Sequence, residues 1–255
     1  MVDPSRRHHK IDRDYVDRTY RNFNPGDKQV AFSVTCKETD LYIKAQEDLS
    51  GQARAAVEDC RKVIEGYIKK RPEFRTSLTP LGLDPEAPPV VQAMLNSAEL
   101  NNVGPMAAVA GAIAEQVGRA LLPFSREVIV ENGGDIYVAA ENDVIVGIFA
   151  GPSALNMQLG LRLESTDTPC GICTSSATVG PSLSFGQADA VTVWASDTAL
   201  ADGAATAVAN QIITVDDIKP TLEQAGKIPG IKGMLVILGE RLGLWGSMNL
   251  VKLDN

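Results

Sequence analysis

Histidine is almost missing from this 255-residue chain, which has only His8 and His9, side by side near the N-terminus. Everything beyond them lacks the side chain most often used as a general base and metal ligand. Aromatic residues are also scarce, at 5%, so the interior must pack by close approach of backbones carrying small side chains. Positive charge is in deficit: 24 Lys and Arg face 32 Asp and Glu, for a net charge of −8. That argues against nucleic acid as a partner, because phosphate-backbone binding needs a surplus of cations on one face. A small anionic ligand remains compatible, since backbone N–H groups at a glycine turn or helix start can hold it. Long apolar runs are missing too. The longest stretch of small apolar residues, 105–114, stops at Glu115, short of the ~18–20 residues needed to span a bilayer. The N-terminus opens with Asp3, Arg6, Arg7, Lys10, Asp12 and Arg13 rather than the apolar core of a secretion signal. A cytoplasmic protein without membrane contact is expected.

There are four cysteines: Cys36, Cys60, Cys170 and Cys173. The last two form a C-x-x-C, yet no second ligand pair stands at the spacing zinc requires. A redox dithiol is an alternative, although such motifs sit where a strand runs into a helix, and this one does not. Reduced, half-buried thiols are the expected state.

Apolar residues make up 44% and charged residues 22%, a balance that supports one sizeable core. Residues 1–27 carry mixed charge without apolar period and read as an irregular arm, leaving 28–255 as one domain. Val30, Phe32 and Val34, then Leu41, Ile43 and Ala45, alternate on either side of a turn at 37–40, which predicts a hairpin. Apolar spacing of three and four predicts a helix from Ser50 to near Pro72, another over 90–100, and an Ala-rich one over 104–121. Strands are expected over 127–131, 136–140, 144–149, 159–163 and 190–195. Ser196 is the expected N-cap of a helix over 197–212. A shorter helix over 216–225 and a hairpin over 234–246 complete the chain. Hairpins outnumber strand–helix–strand alternations, so the fold class expected is α/β (α+β), with mixed, largely antiparallel sheets and helices packed around a central cleft. Exposed strand edges in such a sheet invite a homodimer.

Three clusters could carry chemistry. Asn132-Gly133-Gly134-Asp135 reads as a hairpin turn, or as a place where two missing side chains let a ligand approach the backbone beside a carboxylate. The loop from Thr174 places six hydroxyls within eleven residues (Thr174, Ser175, Ser176, Thr178, Ser182, Ser184), which suits ribose or phosphate oxygens or simply an ordinary surface loop. Asp202 and Thr206 stand at i and i+4 on one helix face. Such a pair is half an oxygen site for Mg²⁺, or an exposed Asp beside a Thr bonded back to its own helix. The alanines around Asp202 favour a buried helix, and a buried Asp needs a partner.

In this order and spacing the clusters resemble the ApbE-like superfamily, the relatives of FAD:protein FMN transferases. The matching segments are the helix over 104–121, Asn132-Gly133-Gly134-Asp135, Thr174-Ser175-Ser176, and Ala201-Asp202 with Thr206. The resemblance implies an α/β fold and a phosphate-bearing ligand, with FAD or FMN as candidates. It also implies Asp202 and Thr206 as ligands of Mg²⁺, and Asn132, Gly133, Gly134, Asp135, Thr174, Ser175 and Ser176 lining the ligand cleft. The chain departs from the family where a His-x-x-Asp-Pro-x-Thr-Gly stretch is expected, having Ser182-Leu183-Ser184-Phe185-Gly186-Gln187-Ala188-Asp189 instead. It also has Ala110-Gly111 where the family has Lys-Gly. Asp135 and Asp189 are then the candidates for proton transfer. The reading is a binder of a flavin-like or nucleotide-like small molecule. The alternatives are a non-catalytic binding or assembly subunit and a Cys170/Cys173 redox protein.

Overall fold

The first alternating segments form the expected hairpin: β1 (Val30–Cys36) pairs antiparallel with β2 (Thr39–Ala45), and the tight turn holds Lys37 at φ 54°. The computed structural model describes residues 29–177 and 185–253. The arm read over 1–27 and the hydroxyls of Thr178, Ser182 and Ser184 lie outside the described residues.

The periodic segments 50–71 and 90–100 become helices α1 (Ser50–Lys70) and α3 (Pro89–Asn101), with a single turn, α2 (Glu73–Thr76), between them. The segment after Gly104 is not one continuous helix. Pro105 opens a 3₁₀ turn to Ala108, and α4 (Val109–Leu121) follows, because Pro fits the first turn of a helix but cannot donate within it. Strands β3 (Val128–Asn132) and β4 (Asp135–Ala139) form a hairpin whose two central residues are Gly133 and Gly134, at φ 71° and 109°. The expected Asn-Gly signal is therefore displaced by one residue. A two-residue turn with both φ positive is the type that matches strand twist, and Gly-Gly meets it without a Cβ penalty.

β5 (Val144–Gly147) and β6 (Leu159–Leu163) leave this sheet and pair with a short strand near the C-terminus, β11 (Leu250–Lys252), in the order β11-β6-β5. The chain returns as β7 (Cys170–Ser175) and β8 (Ala190–Ala195). Helices α5 (Thr198–Gln211) and α6 (Ile218–Ala225) follow, then β9 (Ile231–Leu238) and β10 (Arg241–Gly246). The large sheet runs β1-β2-β3-β4-β7-β8-β9-β10, and every pairing in both sheets is antiparallel, not mixed. The two helices between β8 and β9 bring the chain back to the end of the sheet it left, so no parallel pair arises among the described residues.

Strand alternation splits the core into layers. On one face of the large sheet, Val128, Val130 and Tyr137 pack against α1, α3 and α4, while Cys173, Val191 and Val193 pack against α5 and α6. On the other face, Val138, Cys170, Ile172 and Trp194 meet Leu161 and Leu163 of the small sheet. The α+β class expected from the sequence is the class observed.

Candidate functional site

Helix α5 is buried along almost its whole length, from Thr198 to Ala209, with Thr206 half-buried. Close approach on three sides explains its composition. A Cβ on Gly111 of α4 would sit 2.4 Å from Thr198 O and 2.9 Å from Asp202 Cβ. One on Gly171 of β7 would sit 2.4 Å from the Thr198 Cα, and one on Gly203 would meet Ser97 Oγ of α3 at 2.2 Å. The scarcity of aromatics is thus expressed as helix–helix and helix–strand contacts at glycine distance.

The N-terminus of α5 is capped by Asp197, not by Ser196: the Asp197 side chain accepts from Leu200 N at 2.8 Å. Glu115 reaches across from α4 and accepts from Thr198 N at 2.7 Å, while Arg119, one turn along, pairs with Glu115. Two carboxylates satisfy amides that would otherwise be orphaned. The capping contact of Glu115 spans 83 residues of sequence and could not be read locally.

One turn into α5, Asp202 turns toward the start of α4 and its Oδ2 accepts from Gly111 N at 2.8 Å. The preceding residue of α4, Ala110, accepts through its carbonyl from Asn132 Nδ2 at 3.0 Å. That bond ties the Gly133-Gly134 turn to the same place. Thr174 N donates to Gly134 O at 3.1 Å, and Glu131 Oε1 accepts from Gly134 N at 3.1 Å, so the turn is fixed from three sides. Asp135 is the first residue of β4, in register with Cys173 of β7, and both side chains share the helix face of the sheet. The Asn132–Asp135 and Asp202 clusters, 67 residues apart at their nearest, therefore converge on one point between α4, α5 and the β3–β4 turn.

Electrostatics mark this point. Burial raises the Asp135 carboxyl to about 7; a hydrogen bond from the Cys173 thiol opposes the shift and the Glu131 charge adds to it. Asp202 is raised well above the usual carboxylate range, by burial first and by the charge of Asp135 second, against the pull of the Gly111 and Ala110 amides. The Cys173 thiol is raised well above its ordinary value by burial and by both carboxylates. Among the described residues no lysine or arginine pairs with Asp135 or Asp202. Half-buried Asp135 and buried Asp202 thus repel one another without a counter-charge among the described residues, an arrangement that favours a retained proton or a bound cation.

The other sequence candidates are distributed unevenly. Thr206 lies one turn along α5 from Asp202 and is half-buried. Strand alternation separates Thr174 from Ser175. Thr174 Oγ1 turns to the far face and meets Thr192 Oγ1 at 2.9 Å, while Ser175 shares the face of Cys173. Ser176 follows the end of β7. Asp189 lies apart from the acid pair. Its Oδ2 accepts from Gly239 N at 2.7 Å and its own N–H donates to Ile237 O, so it braces the β9–β10 hairpin. Val193 of β8 is in register with Cys173, and Asp189 stands four residues before it, about 13 Å along the strand.

Cys170 and Cys173 both lie within β7, on opposite faces: Cys170 packs with Trp194 and Ile172, Cys173 with α5. Three strand steps separate their Cα atoms by about 10 Å, beyond the ~7 Å a disulfide can bridge. Burial raises the Cys170 thiol to about 11, far from a reactive thiolate. The redox alternative is thereby removed.

The family described as AbpE bacteria matches residues 21–229. A UPF0280 protein of Methanocaldococcus jannaschii is 43% identical over 230 residues, covering 87% of this chain and 93% of the relative. One of Methanosarcina acetivorans is 39% identical over 215 residues, covering 83% and 85%. Among solved structures, the flavin transferase ApbE from Vibrio cholerae superposes with a TM-score of 0.55 at 14% identity, covering 86% of this chain and 97% of that one. The ApbE protein from Thermotoga maritima gives 0.54 at 13% identity, covering 86% and 97%. At such identities these two structures show a shared fold.

Proposed function

We propose, from the premise that this chain belongs to the family described as AbpE bacteria, that it binds a phosphate-bearing small molecule, first among them a flavin such as FAD or FMN, together with a divalent cation at Asp202. The observation carrying this reading is the acid pair, half-buried Asp135 and buried Asp202, set beside a side-chain-free Gly-Gly turn with no cationic residue among the described ones to neutralise it. The fold shared with proteins named flavin transferases supports a flavin as the first ligand to try.

The residues fit a hard cation. The Asp202 carboxylate and the Thr206 hydroxyl are both oxygen donors, and Mg²⁺ takes one or two carboxylates while keeping water or phosphate oxygens for its remaining positions. When bound, such an ion supplies charge neutralisation at a phosphoryl oxygen. The rest is the work of this chain's own groups. The Gly111 amide orients the Asp202 carboxylate. Asn132 holds the β3–β4 turn against α4, and the bare backbone of Gly133 and Gly134 admits a ligand close to the chain. Ser175 and Ser176 offer hydroxyls where β7 ends. Asp135, raised to about 7 in the metal-free protein, is the carboxyl placed to take or give a proton. If chemistry follows binding, it is a metal-dependent transfer or hydrolysis at the phosphate.

A second reading, a flavin-binding or nucleotide-binding subunit without chemistry, is favoured by one observation. Beyond His9 the chain has no histidine, and Ala110 stands where the superfamily carries a lysine. Recovery of the bound molecule intact after prolonged incubation with protein and Mg²⁺ would select it.

The cation assignment is tested by titrating metal-free protein with Mg²⁺ in a calorimeter. Asp202→Asn should weaken binding at least tenfold and Thr206→Val several-fold. Binding unchanged in Asp202→Asn would end the assignment.

A further inference from the structure

The large sheet ends on β10, and among the described residues no strand pairs with its outer edge. An edge strand presents a row of unpaired N–H and C=O groups, and folds usually blunt it with charge, proline or a bulge. β10 has none of these within its span except Arg241 at its first position; the remainder is Leu242-Gly243-Leu244-Trp245-Gly246. Leu242 is 39% exposed and Leu244 48%. Both share the sheet face of Leu235 and Ile237, with which they are in register on β9. Gly243 and Trp245 lie on the opposite, helix-covered face, where Ile218 and Leu222 of α6 close over Gly243 and Gly226 lies against the Trp245 ring.

We infer that β10 is the interface of a homodimer, in which two copies pair their β10 strands antiparallel across a two-fold axis at Gly243. The occupant is a second copy because the strand is complementary to itself. About a two-fold axis perpendicular to the sheet, paired residues must lie on the same face, so only registers that pair like faces are allowed. Centring on Gly243 sets Leu242 opposite the partner subunit's Leu244, twice. Four half-exposed leucines then form one apolar patch. The same register sets Arg241 opposite the partner subunit's Trp245, again twice, so each cation meets an aromatic face and not a like charge. Two glycines meet on the axis, where the Ile218 contact leaves no room for a larger residue. Pairing makes one continuous sheet of the two eight-stranded halves.

Six residues span about 20 Å, and a strip of that length falls short of the ~800 Å² per partner of a standard stable interface. The dimer is therefore weak, assembling in the micromolar range and above.

Sedimentation velocity of the full chain from 1 to 300 μM tests this. The expected result is a concentration-dependent monomer–dimer equilibrium that Leu244→Lys shifts at least tenfold toward monomer, while Leu83→Lys, at an exposed leucine away from the sheet, leaves it unchanged. Because Leu244 is half-exposed, Leu244→Lys should keep the wild-type circular dichroism. Amide exchange supplies a second readout: β10 amides should slow between low and high concentration while those of β1, the other sheet edge, do not. A protein monomeric throughout the range would overturn the inference. So would a dimer indifferent to Leu244→Lys, or one that protects β1 instead.

Discussion

Replacing Gly111 by alanine opposes two physical effects of known sign. Helix propensity alone makes Gly→Ala in a helix interior stabilising by ~1 kcal/mol. At this position the added Cβ would lie 2.4 Å from Thr198 O and 2.9 Å from both Thr198 C and Asp202 Cβ. Backbone atoms of a packed helix cannot swing aside as a side-chain tip can, so α4 and α5 must separate. Overpacking of this kind costs about 1–3 kcal/mol. Separation also stretches the 2.8 Å bond from Gly111 N to Asp202 Oδ2, and a hydrogen bond to an uncharged acceptor, which Asp202 is while it holds its proton, contributes about 0.5–1.5 kcal/mol. Subtracting the propensity gain leaves a net loss of about 0.5–3.5 kcal/mol. With a urea m-value of about 2–3 kcal/mol/M, the unfolding midpoint should fall by roughly 1 M. The assay is urea denaturation followed by far-UV circular dichroism, with Gly66→Ala in α1 as the internal control. A Cβ there meets nothing within 4 Å, so Gly66→Ala should gain up to ~1 kcal/mol. If Gly111→Ala were as stable as wild type or more so, α4 and α5 would not cross at glycine distance, and the geometry given for Asp202 would be wrong.

Three further outcomes are expected. In metal-free protein, Asp135 and Asp202 hold protons in the folded state at pH values where the unfolded chain has released them. The Asp135 contribution to stability is therefore greatest below about pH 4 and is lost as pH rises toward and through about 7, and that of Asp202 falls in the same direction; urea midpoints from pH 4.5 to 8 should show a falling component that Asp135→Asn diminishes, and no change in that variant would refute it. Asp189→Ala leaves the Gly239 N–H without its acceptor and should cost about 1–3 kcal/mol of stability while leaving ligand-induced stabilisation intact; abolished ligand response at unchanged stability would instead make Asp189 part of the site. Thiol titration of unfolded protein after aeration should recover Cys170 and Cys173 fully reduced, and reversible loss of two thiols would contradict their placement on opposite faces.

Much of the fold was readable because it rests on local signals. Alternation in β1 and β2, three- and four-residue spacing in α1, and the Gly-Gly turn each encode their element within a few residues. The alanines around Asp202 also conveyed, correctly, that α5 is buried. What could not be read is what depends on long-range register. That Asp189 braces the β9–β10 hairpin and that Cys173 sits beside Asp135 follow from how β8 aligns with β9 and β4 with β7. Ser196 and Asp197 are both good caps, and only the backbone geometry at Asp197, extended with φ −140°, distinguishes them. Close backbone approach was readable from the small residues of the segment 104–121, but that Gly111 meets Thr198 and Asp202 of α5 was not, because that contact joins residues about ninety positions apart.

The account stands on Asp202 as the anchor of a cation-dependent ligand site. A thermal-shift titration of wild-type and Asp202→Ala protein with FAD, FMN and ADP, each with and without Mg²⁺, tests that claim most directly, since a ligand bound only by the native state raises the melting temperature by mass action. The account predicts a shift with FAD or FMN that requires Mg²⁺ and disappears in Asp202→Ala. A ligand shift of equal size in Asp202→Ala, or none with any of the three, would contradict it.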